Sequence, residues 1–166
     1  MYSLRTLISG AQTGIDQFSL EVARECGFET GGTAPPGFQT EKGPKPEWAE
    51  YGVQESTSEL QKGETGKHFY NPLTEQNVIN SDATLYYAAD YESPGRYATE
   101  RFCAEHKKPF SVNLSTDDFL KFIKDNNVKV LNMAGNRASK LTEGQQIGFK
   151  TFLTGILLRI ANERAV

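Results

Sequence analysis

The chain has 166 residues, of which 37% are hydrophobic and 23% charged, and its 18 basic and 21 acidic residues give a formal net charge of −3. This length suits one domain with its own core, and the slight acidic excess argues against a general nucleic-acid binder, because affinity for phosphate backbones comes from clustered lysine and arginine. Two cysteines are too few for a disulfide framework, no stretch approaches the ~20 apolar residues that span a bilayer, and the N-terminus lacks a signal-peptide pattern, so we expect a cytoplasmic protein that binds neither a nucleic acid nor a membrane.

The first part of the chain predicts a strand, a helix, a second strand and then a long loop. Residues 4–8 form an apolar run typical of a buried strand, and from Ile15 the apolar residues recur at helical spacing until a glycine ends the pattern. A short second strand ends at 30–32. Residues 33–70 show no clean period and are rich in Gly, Pro, Lys and Glu, which predicts a long loop and a candidate lid. Residues 46–51 fit one helical turn inside it.

Helices and strands alternate regularly after this loop. Helices are predicted over about 71–81 and 96–106, after the capping residue Ser115, and after the capping box of Thr142 and Gln145. Strands are predicted over 83–89, 109–114 and 128–133. Such alternation is typical of a parallel sheet with helices on both faces. The sequence therefore predicts an α/β fold: a single Rossmann-like three-layer domain over 1–166, with a mainly parallel sheet of about five strands.

Four loops of unusual composition are predicted to meet at one edge of this sheet. They contain glycine, small polar residues or arginine and span 9–14, 31–37, 90–97 and 134–140. Ligands bind at the carboxyl ends of parallel strands, and free N–H groups at helix N-termini there suit an anion. An arginine fork also matches phosphate geometry, and the cations of these loops are Arg96, Arg137 and Lys140. The sequence therefore predicts an anion-binding site at this edge.

Several of these residues also have a purely structural interpretation. Gly10 and Gly14 would then only reverse the chain and allow close packing of helix on strand. Asp16 would form a helix-capping pair with Thr13, and Arg96 would be a solvated surface residue. These alternatives stay open at the level of sequence.

Familiar nucleotide and metal motifs are not found. The turn after the first strand is not G-x-G-x-x-G, and residues 63–69 lack both the first glycine and the Ser or Thr of a P-loop. The two histidines lie far apart without partnered cysteines, so we expect no metal site. Three aromatic residues of the long loop, Trp48, Tyr51 and Phe69, are expected to pin it to the domain.

Four segments of the chain carry a family resemblance. "SGAQTGID" at 9–16 is similar to SGGQTGxD, "TGGTAPPGFQTEKGP" at 30–44 to TGGxxPKG followed by an acidic-Gly segment, "TEQNVINSDATL" at 74–85 to TxxNVxDSDGTL, and "LNMAGNRASK" at 131–140 to LNVAGPRxS. In this order the motifs resemble those of the molybdenum carrier protein family. That family lies within the wider superfamily of Rossmann-like proteins related to the lysine-decarboxylase-like and cytokinin-activating enzymes.

The resemblance implies a small-molecule binding protein that holds a molybdenum cofactor or a nucleotide-derived ligand at the strand-end cleft. The positions that match its motifs are Gly10, Gln12, Thr13, Gly14, Asp16, Gly31, Gly32, Ser81, Asp82, Gly135, Arg137 and Ser139. The chain departs from the pattern in two places. Arg96 and Tyr97 replace small residues, which would narrow the pocket or add a phosphate contact, and Ala11 replaces a glycine, which is a smaller loss of room. We therefore add further residues at these two places, and the cation of the last loop, to the candidate ligand contacts. They are Ala11, Gly95, Arg96, Tyr97, Thr99 and Lys140.

An enzyme is the alternative. "PGRYATERF" at 94–102 resembles the PGGxGTxxE motif of cytokinin-activating phosphoribohydrolases, which cleave the N-glycosidic bond of a nucleotide. Phe102 occupies the position of the motif's glutamate and cannot transfer a proton, while Glu100 comes two residues early. Asp82 or Asp16 would have to supply the carboxylate. A regulatory role without a small ligand is the third class, and for partners we expect a small-molecule ligand and a homo-oligomer.

Overall fold

The computed structural model describes residues 1–56, 71–90 and 92–164. Its centre is a sheet of six strands in the order β5-β2-β1-β8-β6-β7, and every neighbouring pair is parallel. The strands are β1 (Thr6–Ile8), β2 (Glu29–Ala34), β5 (Val53–Glu55), β6 (Ala83–Tyr87), β7 (Phe110–Val112) and β8 (Val130–Gly135). This confirms the predicted α/β fold with a parallel sheet, which has one strand more than expected.

Helices cover both faces of the sheet. Their bounds are α1 (Ile15–Glu25), α2 (Asn71–Ile79), α3 (Pro94–Glu105), α4 (Thr116–Asp125) and α5 (Glu143–Arg164). Helix α1 contacts β1, β8 and α5, whereas α2 and α3 contact each other and lie against β2 and β6. The predicted cap and capping box are confirmed, because Ser115 Oγ accepts from Asp118 N at 3.3 Å, and Thr142 and Gln145 exchange two bonds of 2.9 and 3.1 Å.

Two apolar layers hold the helices to the sheet. The larger one joins strand residues such as Leu7, Leu85 and Leu131 to Phe119 and Ile156 of the helices on one face. The smaller one, on the other face, joins Val78 of α2 to Phe102 and Cys103 of α3. The buried apolar area on both faces is what fixes a parallel sheet between helices.

The prediction that residues 33–70 form a loop is wrong for its first part. Val53 pairs with Gly32 and Glu55 with Ala34, so β5 extends the main sheet. Between β2 and β5 lies a short antiparallel hairpin of β3 (Gln39–Thr40) and β4 (Gly43–Pro44). Three consecutive residues carry too little periodicity to predict a strand. Residues 53–55 form a strand because they pair with β2.

The same segment has its own small core. Trp48 is buried on a 3₁₀ helix at Pro46–Tyr51, in the helical turn that the sequence predicts, and its ring lies 4.7 Å from that of Tyr51. It packs with Ala11, Leu20 and Val53. The expected pinning role of Trp48 and Tyr51 is therefore confirmed, while Phe69 and the rest of the candidate lid, 57–70, lie outside the described residues. Over the ranges that the structure describes, no helix has the length and apolar character needed to cross a bilayer.

Candidate ligand-binding site

A cleft of about 120 Å³ opens at the carboxyl edge of the sheet, beside the ends of β1, β6 and β8. Seven of the predicted site residues line it: Gly10, Gln12, Asp16, Gly95, Thr99, Gly135 and Arg137. The other lining residues are Leu73, Thr74 and Asn77 of α2, Tyr86 of β6, and Asn132 and Ala134 of β8. The sheet therefore brings three of the four predicted loops to one cleft, as the strand-end rule requires.

The turn from β1 to α1 forms one wall of the cleft. Ser9 Oγ accepts from Ala11 N at 3.2 Å and donates to the carbonyl of Asp16 at 3.0 Å. Gly14 has φ +85°, and a Cβ there would lie 2.3 Å from the carbonyl oxygen of Asn136, so only glycine lets the turn pack against the loop after β8. The structural interpretation of Gly14 is therefore confirmed, and it also serves the site by joining the two loops.

The carboxyl group of Asp16 faces this cleft from the first turn of α1. It is 9% exposed, and its Oδ2 accepts from Gln12 N at 3.3 Å. Burial raises its pKa to about 7, although N–H groups of Gln12 and Gly10 and the charge of Arg137 act in the opposite direction. A Cβ on Gly10 would stand 3.1 Å from the same carboxyl oxygen. The predicted capping pair of Thr13 and Asp16 is wrong, because the Thr13 hydroxyl donates to Glu41 and accepts from Ala138 N.

Hydrogen bonds to neighbouring residues fix the amide side chains of the cleft. Asn77 accepts from Thr33 N at 2.9 Å and donates to Thr33 O at 3.0 Å, and Asn132 Nδ2 donates to Thr84 Oγ1 at 3.2 Å. Gln12 Nε2 donates to the carbonyls of Gly10 and Gln39 at 3.2 and 3.0 Å. Gln12 Oε1, by contrast, is buried and finds no hydrogen-bond partner among the residues with described positions. A buried acceptor in this state is one that a ligand's N–H or O–H group would satisfy.

A residue that the sequence did not single out, Glu41, reaches the mouth of the site from the hairpin. Its carboxylate accepts from the hydroxyl of Thr13, from Ser139 N at 3.2 Å and from Ser139 Oγ at 2.6 Å. Burial alone would raise the pKa of Glu41, but these hydrogen bonds and the charge of Arg137 together lower it. Thr13, Ser139 and Glu41 are not among the residues that line the cleft, but this carboxylate joins the two loops that carry its lining residues Gln12 and Arg137. The acidic-Gly segment of the motif at 30–44 contains Glu41, but its pattern does not indicate this contact.

Two predicted residues lie at the opposite edge of the sheet. Asp82 precedes β6, and its Oδ2 accepts from Lys129 N and Val130 N at 2.9 Å each, at the start of β8. Ser81 Oγ donates to Val78 O at the end of α2. The structure therefore does not bring them to the cleft, because residues before a strand and residues after it lie at opposite edges of the sheet.

Other predicted contacts have protein partners near the site. Arg96 pairs with Glu100 at 3.4 Å, and Lys140 pairs with Asp90 at 3.6 Å. Tyr97 is 47% exposed. The remaining predicted positions are Gly31 and Gly32 of β2 and the buried Ala11. At Gly32 a Cβ would lie 1.9 Å from Ser9 O, so this glycine allows β2 to approach β1.

A group with metal-ligand chemistry lies away from the cleft. His106 Nε2 is 3.1 Å from Glu75 Oε2, and Glu105 brings a third donor atom, all within 4.8 Å of one another. The sequence analysis did not predict this group, because Glu75 lies on α2 whereas Glu105 and His106 lie at the end of α3. The hydrogen bond between His106 and Glu75 holds two of the three side chains together.

Fold and cleft together define a Rossmann-like α/β protein with a candidate ligand site at the carboxyl edge of its sheet. The chain belongs to the circularly permutated YpsA SLOG family, which it matches over residues 7–156. It is also similar to a crystal structure from Syntrophus aciditrophicus SB named "putative molybdenum carrier protein", with a TM-score of 0.77 and 29% identity over 95% of this chain and 96% of that one. A comparison with curated proteins finds no match. The resemblance to molybdenum carrier-like proteins is therefore supported, and the motif-by-motif correspondence stays a prediction.

Proposed function

We propose that this protein binds a small molecule with an anionic group, either a molybdenum cofactor or a nucleotide-derived compound, in the strand-end cleft. The observation that carries the proposal is the pairing, in one cleft, of Arg137 with the unsatisfied acceptor Gln12 Oε1. The guanidinium suits a phosphate, and the acceptor suits an N–H or O–H group of the same ligand. Both pterins and nucleotides offer these two features. The name of the similar structure favours the molybdenum cofactor over the nucleotide-derived compound.

The size of the cleft limits how such a ligand would sit. Pockets that enclose a whole drug-sized ligand have volumes of roughly 300–1,000 Å³, and this cleft has about 120 Å³. It therefore fits one end of the ligand, while the remainder extends past Arg137 and Gln12. Both residues lie at the boundary with the hairpin, since Gln12 Nε2 bonds Gln39 O and the charge of Arg137 acts on Glu41.

Calorimetric titration with AMP and with isolated molybdenum cofactor tests this proposal. Arg137→Ala should weaken binding about ten- to a hundredfold, which corresponds to one charge-assisted contact of ~1.5–3 kcal/mol. The melting temperature should stay nearly unchanged, because Arg137 is exposed. Arg101→Ala is the matched control: its side chain is 58% exposed and pairs with Glu105 on α3. Equal affinities of the wild type and Arg137→Ala would refute the assignment, and so would the absence of binding to both compounds.

A second function, hydrolysis of a nucleotide, is favoured by one observation. A carboxyl group whose pKa burial raises to about 7 can exchange a proton near neutral pH, and Asp16 is such a group. The residues of the hydrolase-like motif contribute less, because Phe102 is buried against Val78 and Glu100 pairs with Arg96. Incubation with nucleoside monophosphates should then release free base with the wild type and not with Asp16→Asn. Equal release by both proteins would exclude Asp16 as the catalytic group.

A further inference from the structure

The carboxylate of Glu41 rests on the two loops that the sequence predicts to hold an anion. Oε1 accepts from the hydroxyl of Thr13 and from Ser139 N at 3.2 Å, and Oε2 accepts from Ser139 Oγ at 2.6 Å. Thr13 Oγ1 also accepts from Ala138 N at 3.2 Å, which orients its hydroxyl hydrogen toward Glu41. Three donors on two loops therefore converge on one pair of anionic oxygens. This donor set suits any group with two such oxygens, a phosphate as well as a carboxylate.

Glu41 reaches this position from a small element. It lies at the tip of the β3–β4 hairpin, whose strands have two residues each. The turn is closed by Thr40 Oγ1, which donates to Gly43 O at 2.8 Å. An isolated two-stranded hairpin is marginally stable in water, so its position depends on contacts such as those of Glu41. The side chain is exposed, and a dissolved anion can reach it.

We infer that Thr13, Ser139 and Arg137 form an oxyanion subsite that Glu41 fills in the absence of ligand, and that the phosphate group of a bound molecule displaces Glu41. The inference rests on the proposed function and adds how the site is gated. The negative charge of the phosphate replaces that of the Glu41 carboxylate at the subsite. The hairpin moves away once Glu41 has lost its hydrogen bonds to Thr13 and Ser139. The protein's own carboxylate thus lowers the affinity for every anion that competes with it.

The size of this effect follows from the fraction of molecules in which the subsite is open. Apparent affinity falls in proportion to the binding-competent fraction, so a subsite that is open about one-tenth of the time binds about tenfold more weakly. Glu41→Ala removes the competitor completely. We expect it to raise the affinity for AMP, and for inorganic phosphate, about tenfold. Ser139→Ala removes a donor and should lower both affinities.

Titration of the full chain with AMP and inorganic phosphate measures these changes. Glu47→Ala, which removes an exposed glutamate of the neighbouring 3₁₀ helix, controls for the general loss of one negative charge and should leave both affinities near those of the wild type. Equal gains in Glu41→Ala and Glu47→Ala would overturn the inference, as would no gain in Glu41→Ala. If AMP binds and depends on Arg137 but not on Glu41, the proposed function stands and the gate fails. If neither probe binds any variant, both fail.

Hydrogen exchange separates displacement from simple repulsion at a distance. Lys42 N donates to Thr40 Oγ1, and Lys45 N donates to Phe38 O at 2.9 Å, so both amides report on the hairpin. Saturating phosphate should speed their exchange in the wild type while the Ser139 amide keeps its protection. Unchanged exchange of Lys42 and Lys45 on phosphate binding would refute the displacement.

Discussion

Replacing Asp16 by asparagine should stabilise the protein, and the gain should depend on pH. Asp16 is buried, and its pKa in the folded protein is raised from the ordinary 3.8 to about 7. Between these two values the unfolded chain has lost the proton and the folded protein still holds it. The free energy of unfolding of the wild type therefore falls as the pH rises from about 4 to about 7. Above about pH 7 this loss of stability due to Asp16 stays constant.

The magnitude follows from the size of the shift. One pKa unit corresponds to about 1.36 kcal/mol, so a shift of about three units amounts to roughly 4 kcal/mol. This is a large part of the ~5–15 kcal/mol that holds a typical protein folded. Asparagine has nearly the same shape and keeps an oxygen that accepts from Gln12 N, but it does not ionise. Its amide group adds a cost that is the same at every pH, so the pH dependence is the quantity to measure.

Urea unfolding of both ligand-free proteins at pH 4, 6 and 8 gives that quantity. The difference between Asp16→Asn and the wild type should grow by roughly 4 kcal/mol from pH 4 to pH 8. The lowered pKa of Glu41 affects both proteins equally and cancels. Asp117→Asn, at an exposed position of α4, controls for the loss of one carboxylate. A difference that stays constant from pH 4 to pH 8 would show that Asp16 is not the buried, proton-holding group described above.

Two other substitutions test the architecture around the site. Gly14→Val places a Cβ 2.3 Å from Asn136 O at a φ of +85°, and we expect urea unfolding to show a loss of roughly 2–5 kcal/mol; a loss below 1 kcal/mol would mean that the turn has another conformation. Asp82→Ala removes two hydrogen bonds at the far edge of the sheet and should cost about 1–3 kcal/mol while AMP affinity stays unchanged. A drop in AMP affinity at constant stability would return Asp82 to the site.

The regular elements were predictable because their signals are local. Helix α1 shows apolar spacing, Ser115 caps α4, and Thr142 with Gln145 starts α5. Strand β5 was not predictable, since Val53–Glu55 becomes a strand only by pairing with Gly32 and its neighbours. The predicted homo-oligomer, the cytoplasmic location and the lid role of 33–70 stay predictions.

Half of the candidate site could be located from one rule, that ligands bind where parallel strands end. The rule places the turn after β1 and the loop after β8 correctly, with Asp16 and Arg137. It would also have excluded Asp82, which precedes its strand and entered through motif similarity alone. Asn77 could not be predicted, because its orientation into the cleft depends on where α2 packs. The contacts of Glu41 could not be predicted either, because its partners Thr13 and Ser139 lie 28 and 98 positions away in the sequence.

Arg137 is the residue that connects these features, because its charge acts on two carboxyl groups of different character. Asp16 lies inside the cleft and holds its proton up to about pH 7, whereas Glu41 lies at the mouth and has a lowered pKa. At pH 7 the inner group is therefore ionised in only about half of the molecules, whereas the outer one supplies an anion beside the guanidinium. In the exchange proposed above, an anionic ligand that replaces Glu41 would meet donors already oriented for two oxygens, so the protein would reorganise little around it. The inner carboxyl group, while protonated, would be a further donor toward that ligand. By this proposal, the carboxylate of Glu41 keeps the anion subsite ordered until a ligand replaces it.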